Sequence, residues 1–164
     1  MEDILGALEG EDEGVQTAKQ HYHGSVAFVQ RGVTHMALIF ASMSVLSILE
    51  HDCTFTFADA TFHTAPRPFM QVFNILVSYK GVVLPCYHIA MTSKLSGLYS
   101  AVFERIADLF PNFRPVYMNT DYESGLMKAI RYNFPEAIIM GCRFHFAKAV
   151  FRAIMGPSKL TYPT

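Results

Sequence analysis

Residues 55–62 read F-T-F-A-D-A-T-F, and this stretch decides which fold the sequence can adopt. Phe55 and Phe57 alternate with threonine, which is the period-two pattern of a strand with one buried face. Asp59 falls on the same parity as the two aromatic residues, inside an otherwise apolar strand. A carboxylate is costly to bury without a partner. Asp59 is therefore a candidate functional residue, and a local turn contact is the structural alternative.

The sequence after this strand predicts two more strands and then alternating helices and strands. Gln71–Tyr79 and Val82–Met91 are apolar runs joined by Lys80-Gly81, a tight turn that favours antiparallel pairing. Pro85 predicts an edge position or a bulge, because proline cannot donate to the ladder. Three antiparallel strands followed by α-β-α-β-α predict an α/β protein with a mixed sheet covered by helices. The later predicted elements are a helix at Leu98–Phe110, a strand at Pro115–Asn119, a helix at Leu126–Phe134, a strand at Ala137–Cys142 and a helix at Phe144–Met155.

The last predicted helix carries apolar residues at the spacing of one buried face, namely Phe146, Ala149, Val150, Ala153 and Ile154. Upstream of the quoted strand, two short apolar runs, Val26–Val29 and Met36–Phe40, are expected to pair. Ala41–Glu50 is expected to form a short amphipathic helix. We divide the chain into an acidic, flexible leader (1–20), a strand and helix segment (21–54) and the core (55–164).

The composition limits the class of protein. The chain has 164 residues, of which 51% are hydrophobic and 16% are charged, so it is neither disordered nor of low complexity. Its three cysteines are too few for a disulfide scaffold. The N-terminus does not have the charged-then-apolar pattern of a signal peptide, and the longest apolar run falls short of the ~20 residues of a membrane span. We therefore expect an intracellular protein without a membrane partner.

The net charge of −1 conceals an asymmetry. Residues 1–13 carry six acids and no base, whereas from Leu126 onward there are six bases and one acid, Glu136. A basic C-terminal third is compatible with a phosphate-bearing partner. An ordinary solvated helix face gives the same pattern.

Asp121 lies where a predicted strand ends and a helix begins. If its strand neighbours that of Asp59, the two carboxylates face each other over one edge of the sheet. Opposed carboxylates hold Mg²⁺ for phosphoryl chemistry in many proteins. Two structural alternatives stay open. Asp121 could instead stabilise the N-terminus of the helix that follows it, and Asp59 could only make a contact within a local turn.

Glu123 is a third acid close to this position. Thr120-Asp121-Tyr122-Glu123 fits a capping box, with Thr120 at the cap and Glu123 three residues on. That interpretation gives Glu123 a structural role.

Cys142-Arg143-Phe144-His145 is a C-x-x-H segment at a predicted strand-to-helix junction. A structural zinc site needs four ligands, and only an approach of Cys86 and His88 would supply the other two, so zinc is not expected. In the first turn of a helix, His145 can meet phosphate together with free N–H groups and the positive end of the helix dipole.

Taken in order, these motifs resemble those of the Mutator-like element (MULE) transposases. D-A-T-F-H-T-A-P at residues 59–66 resembles the first acidic motif of that family, and T-D-Y-E at residues 120–123 resembles the second. The similarity covers about residues 37–155. The other matching pieces are Phe69, Gln71, F-P at 134–135, G-C at 141–142, H-F at 145–146, L-I-F-A-S at 38–42 and residues 46–49.

The resemblance implies a ribonuclease H-like catalytic fold that performs metal-dependent DNA strand cleavage and transfer in cut-and-paste transposition. It implies that Asp59 and Asp121 are the first two acids of an Asp-Asp-Glu triad that holds Mg²⁺ or Mn²⁺. Cys142 and His145 match the family's Cys and His, to which we assign DNA positioning or a structural role. The implied partners are transposon ends and target DNA, the implied location is the nucleus, and a homo-oligomer is left open.

The sequence departs from the family pattern after His145. The family's catalytic Glu lies on a helix well beyond the C-x-x-H segment, and no acidic residue follows His145 here. Glu123 is the only spare acid nearby and is the candidate substitute for the missing Glu. We therefore expect a core that is truncated at its C-terminus and does not cleave DNA. The alternatives are a domesticated or decayed remnant that binds DNA or protein, and an unrelated phosphodiesterase that uses Asp59 and Asp121.

Overall fold

A computed structural model describes residues 20–49, 53–62 and 65–155. Residues 1–19 of the predicted leader (1–20), Glu50 at the end of the predicted short helix, residues 51–52, His63 and Thr64 of the first acidic motif, and residues 156–164 lie outside these ranges. The strands are β1 (Tyr22–Gln30), β2 (Val33–Ala41), β3 (Phe55–Thr61), β4 (Gln71–Tyr79), β5 (Val82–Met91), β6 (Tyr117–Thr120) and β7 (Ile138–Gly141). The helices are α1 (Met43–Leu49), α2 (Ser96–Leu109), α3 (Ser124–Asn133) and α4 (Arg143–Met155).

The seven strands of the described residues form one mixed sheet in the order β1-β2-β5-β4-β3-β6-β7. Every pair from β1 across to β3 is antiparallel, whereas β3, β6 and β7 run parallel. The predicted order of three antiparallel strands followed by α-β-α-β-α is confirmed. The predicted adjacency of the strands that carry or precede Asp59 and Asp121 is also confirmed, because β3 pairs with β6.

The two hairpins of the sheet have the same turn chemistry. Lys80 and Gly81 have φ angles of 50° and 80°, and Arg31 and Gly32 have φ angles of 52° and 76°. Two successive residues with positive φ are typical of the type I′ turn, whose twist matches that of the flanking strands. The predicted turn at Lys80-Gly81 is therefore confirmed.

Pro85 lies at an irregularity inside the sheet. The register between β4 and β5 shifts between Ile75 and Leu76, opposite Tyr87 and Pro85. A bulge removes the need for the N–H that proline lacks. The prediction of a bulge is confirmed. Although β5 as a whole lies between β2 and β4, its pairing with β2 ends at Tyr87, so Pro85 also has a strand partner on the β4 side alone.

Helices α2 and α3 cover one face of the sheet. Phe73 of β4 packs edge-on against Tyr99 and Phe103 of α2, with ring centroids 5.1 and 6.1 Å apart. Phe134, just after α3, packs against Phe103 at 5.2 Å. These aromatic contacts hold the two helices and the central strands in one core. Within the described residues, no helix is long and apolar enough to cross a membrane.

Helix α4 has an apolar face that the protein does not bury. The prediction that this face is buried is wrong: Phe146 is 55% exposed and Ile154 is 75% exposed. The face has the expected 3.6-residue period, but no element of the described part packs extensively against it. Periodicity identifies an apolar face, and only the tertiary structure decides whether the face is covered.

Candidate carboxylate site at the β3–β6 edge

The parallel pairing of β3 and β6 brings Asp59 and Asp121 together. Ala58 faces Thr120 across this pair, and Asp59 and Asp121 are the next residues along the two strands. Side chains alternate along a strand, so Asp59 points away from the face on which Ala58 is buried against the core. Both acids line one cavity of about 260 Å³. The two acidic motifs, 62 residues apart in sequence, therefore meet at one place.

Asp59 lies on the open face of the sheet and is exposed. The desolvation cost expected for a carboxylate in an apolar strand is therefore avoided. Across the antiparallel pair with β4, Asp59 faces Asn74, and Asn74 in turn faces His88 of β5. The Nδ1–H group of His88 donates a 2.7 Å hydrogen bond to Oδ1 of Asn74. A polar row therefore crosses the open face from His88 to Asp59.

The sequence analysis missed Asn74 and His88 as members of this row. The available signal was the one that identified Asp59, a polar residue within an apolar strand. What the sequence lacks is the register that aligns the three residues on neighbouring strands.

Asp121 is held by the backbone that follows it. Its Oδ1 atom accepts a 3.2 Å hydrogen bond from the backbone N–H of Glu123. Glu123 has extended backbone angles and directly precedes the first residue of α3. The Asp121 carboxylate is therefore fixed at the junction between β6 and α3.

The predicted capping box at Thr120 and Glu123 is wrong. Thr120 is the last residue of β6, paired with Ala58, and α3 begins only at Ser124. The Glu123 carboxylate turns to Lys94 instead, with Oε2 3.2 Å from Nζ. The sheet therefore holds Thr120 too far upstream to cap the helix, and Lys94 provides the charge that Glu123 pairs with.

Cys142 and His145 line the same cavity as the two acids. The backbone N–H of Cys142 donates to the carbonyl oxygen of Thr120 at 2.7 Å, which continues the β6–β7 pairing beyond the last residue of β7. The carbonyl of Cys142 then accepts the N–H of Phe146 at 3.0 Å, so α4 begins here. The C-x-x-H segment thus provides the wall of the cavity on the β7 side.

Tyr122 fixes the position of α4 relative to this wall. Its ring lies over Gly141, where the Cβ atom of any other residue would meet the Tyr122 phenol. The same ring packs against Phe146, with centroids 6.4 Å apart. A glycine at the end of β7 is therefore needed for the close approach of Tyr122.

Cys86 does not extend the cavity toward a zinc site. Cys86 is fully buried in β5, and this burial raises the pKa of its thiol to about 12, although a backbone hydrogen bond at Val77 opposes the rise. Zinc is bound by thiolate, so a thiol of this kind is a poor ligand. Within residues 20–49, 53–62 and 65–155, no three His, Cys, Asp or Glu side chains converge as metal ligands.

A buried polar pair lies behind Asp121 and Glu123. The Nε2 group of Gln71 donates to the Tyr99 hydroxyl at 2.7 Å, and both residues are fully buried. Burial raises the pKa of Tyr99 most; the Gln71 hydrogen bond lowers it, and the carboxylates of Glu123 and Asp121 raise it further. Both carboxylates therefore lie within electrostatic reach of a neutral phenol in the core.

A second and larger cavity, of about 390 Å³, lies where the chain enters β6 and β7. It is lined by Phe113, Arg114, Phe134 and Glu136 among others. None of the candidate site residues reaches it. We therefore place the site at the carboxyl ends of β3 and β6, which is where open α/β sheets bind their ligands.

Comparison with known proteins identifies the family of the chain. No curated protein matches the chain at a significant level. A family model described as MULE transposase domain matches residues 55–149, more than half of the chain, from the first residue of β3 into α4. The matched range contains all five candidate site residues, namely Asp59, Asp121, Glu123, Cys142 and His145. The resemblance noted from the motifs is therefore confirmed, and the chain belongs to the MULE transposase domain family.

Proposed function

We propose that this chain is the DNA-processing core of a MULE-type transposase, in which Asp59 and Asp121 hold a divalent cation next to DNA. The observation that carries the proposal is the β3–β6 pairing, which brings both acids to one cavity. Transposase domains act on DNA, and the matched family model covers both acids. The chemistry proposed for a complete site of this kind is strand cleavage and transfer.

The proposal includes a ribonuclease H-like fold. In support of it, the three antiparallel strands β3, β4 and β5 are followed by α2, β6, α3, β7 and α4. The antiparallel hairpin of β1 and β2 extends this sheet beyond β5. Asp59 lies in β3, and Asp121 directly follows β6, the strand that pairs parallel to β3.

The residues present fit Mg²⁺ or Mn²⁺. Both ions prefer oxygen ligands, and Mg²⁺ retains much of its water, so one or two carboxylates are sufficient to bind it. Asp59 is exposed, and the Glu123 N–H uses only one of the roughly four acceptor positions of the Asp121 carboxylate. A divalent cation bound there would supply half of two-metal phosphodiester chemistry, in which one ion activates the attacking oxygen and the other stabilises the leaving oxygen.

Cys142, His145 and the start of α4 are proposed to position DNA. His145 lies in the first turn of α4, where backbone N–H groups and the helix dipole favour phosphate. Arg143 and Arg152 on the same helix are exposed and add positive charge. DNA would then contact the cavity from the side of β7.

A non-catalytic DNA-binding module is the second candidate function. The observation that favours it is the Lys94–Glu123 ion pair, which occupies the one further acid that the described residues place beside the site. A two-metal mechanism needs ligands for a second cation ~3.5–4 Å from the first. We therefore expect this chain to bind cation and DNA without cleaving the DNA. For both candidate functions, the DNA partner leads us to propose a nuclear location. We also propose that a homo-oligomer is one form in which the protein binds DNA.

The test measures Mn²⁺ binding and DNA nicking on the same preparations. Binding of Mn²⁺, followed by electron paramagnetic resonance, should be lost in Asp59→Asn and in Asp121→Asn because each removes an anionic ligand. It should persist in Asp108→Asn, the same chemical change at an exposed position of α2. Absence of Mn²⁺ binding in the unaltered chain would contradict the cation site.

Nicking of duplex DNA separates the two candidate functions. Metal-dependent nicking that disappears in both Asp variants would establish the enzyme and overturn our expectation of an inactive chain. Metal-independent DNA binding without nicking would favour the non-catalytic module. DNA binding that is weakened by His145→Ala, with unchanged thermal stability, would support the assignment of α4 to the DNA interface.

A further inference from the structure

Lys94 lies at the point where the segments that follow the two acids meet. It follows β5 by three residues and precedes α2. Its ammonium group is 3.2 Å from Oε2 of Glu123, which comes two residues after Asp121. The same ammonium lies 3.7 Å from the centroid of the Phe62 ring, which comes three residues after Asp59. One side chain therefore contacts both of the segments that leave the carboxylate-bearing positions.

The contact with Glu123 is transmitted to Asp121 through the backbone. The Glu123 side chain is only 15% exposed and is paired with Lys94, while the Glu123 N–H donates to Oδ1 of Asp121 at 3.2 Å. The Lys94 side chain is 39% exposed, but the carboxylate it contacts is shielded from water, and this makes the pair stronger than one between two exposed side chains. The orientation of the Asp121 carboxylate thus depends on where Lys94 holds Glu123.

Close backbone packing holds the start of α3 against the loop that contains Lys94. Gly125, in the first turn of α3, lies against the carbonyl oxygen of Lys94, and a Cβ atom there would meet that oxygen. Met127 N–H donates to the carbonyl of Glu123 at 3.0 Å and continues the helix from this anchored start. Side chain and backbone of Lys94 therefore both contact the junction between β6 and α3.

We propose that Lys94 is a positioning residue that sets the separation of Asp59 and Asp121 for a divalent cation, through Phe62 on one side and Glu123 on the other. This inference rests on the proposed function, because it assumes that the two carboxylates share a cation. In this proposal Glu123 orients Asp121 and does not bind the cation.

Electrostatics alone gives the opposite expectation. An ammonium group near a cation site repels the cation, so its removal should strengthen metal binding. If Glu123 were a metal ligand held in reserve, removal of Lys94 would also strengthen binding, because the carboxylate would be released. A positioning role predicts weaker binding, since residues that orient metal ligands typically contribute about tenfold or more to metal affinity.

The experiment compares Lys94→Met, Lys94→Arg and Lys128→Met with the unaltered chain. Lys128 is an exposed residue of α3, so its change to Met is the matched control for loss of one positive charge. We expect Lys94→Met to weaken Mn²⁺ binding about tenfold, Lys94→Arg to retain most of it, and Lys128→Met to leave it nearly unchanged. Unchanged or tighter Mn²⁺ binding in Lys94→Met would overturn the proposal.

A second measurement on metal-free protein keeps the two proposals distinguishable. Amide hydrogen exchange at Glu123 should accelerate about tenfold in Lys94→Met, while exchange at the buried amide of Ile75 reports whether the core stays folded. If the unaltered chain binds no Mn²⁺, the proposed function fails, and faster exchange at Glu123 would still show that Lys94 holds the junction. Unchanged exchange at Glu123 with an intact core would overturn the positioning role itself.

Discussion

Helices α3 and α4 both follow the carboxyl ends of neighbouring parallel strands, yet the protein buries the apolar side of only one of them. The apolar side of α3 is buried, with Leu126 and Ala129 at 1% exposure and Ile130 at 0%. The apolar side of α4 is exposed, with Phe146 at 55% and Ile154 at 75%. Glu123, Gly125 and Lys94 anchor the start of α3, whereas Tyr122 is the main contact at the start of α4. The candidate site therefore lies between one fixed helix and one exposed helix.

The largest difference should appear when the same truncation is made in both helices. Ile130→Ala should lower the free energy of unfolding by about 3 kcal/mol, because it leaves a cavity in the core. Ile154→Ala should change it by less than about 0.5 kcal/mol, because the side chain is already in water. Urea unfolding followed by circular dichroism measures both values. Equal losses would mean that α4 is covered in solution, and a dependence on protein concentration would then identify self-association.

A smaller effect is expected where α3 is anchored. Gly125→Ala should destabilise the protein by about 2 kcal/mol, because the added Cβ meets the Lys94 carbonyl oxygen and the junction has to shift. Ser124→Ala, at the exposed neighbouring position, is the control. The same urea titration measures both variants. A neutral Gly125→Ala would show that the start of α3 adapts as easily as we expect of α4.

The smallest effect concerns reactivity and not stability. Cys142, at the start of α4, is partly exposed beside the cavity, whereas Cys86 is fully buried with a thiol pKa of about 12. Iodoacetamide at pH 8 should therefore modify Cys142 and leave Cys86 unmodified, as peptide mass spectrometry would show. An unmodified Cys142 would contradict the exposed start of α4, and modification of Cys86 in the folded protein would contradict its burial.

The pKa of Cys86 also fixes the sign of a pH effect. The folded value is raised above the ordinary value of 9.0, so the unfolded chain loses this proton first as the pH rises. The contribution of Cys86 to stability is therefore complete below about pH 9 and is lost progressively between about pH 9 and pH 12. Alkylation of Cys86 should increase only in that alkaline range.

The sequence was sufficient where the deciding interactions are local. Positive-φ turn residues such as Lys80-Gly81 and alternation around Phe55 and Phe57 predict strands and hairpins, because short-range geometry determines them. The pairing of the two acids is not local: the sequence predicted it from the ordered motifs that resemble the family and on the condition that the two strands are neighbours, a condition that the β3–β6 pairing meets. For most elements, the observed bounds differ from the predicted bounds by only one or two residues.

The remaining errors come from contacts between distant segments. Lys94 and Glu123 are 29 residues apart, and no local pattern indicates that a loop lysine takes the carboxylate expected to cap α3. Asn74 and His88 join Asp59 only through the register of three strands. The exposed face of α4 has the same periodicity as a buried one, so its sequence could not predict its surroundings.

The two outermost strands of the described sheet bear on how the folded protein behaves at high concentration. A strand edge with unpaired N–H and C=O groups can recruit another chain, and the aggregation of β-proteins often begins there. In β1 the register shifts between Tyr22 and Gly24, and Gly24 has a φ of 113°, which disturbs that edge. The other edge, β7, is only four residues long and has the Tyr122 ring over its last residue, Gly141. The β7 edge therefore offers no long template, and we expect any strand addition to begin at the regular part of β1, from Gly24 to Gln30.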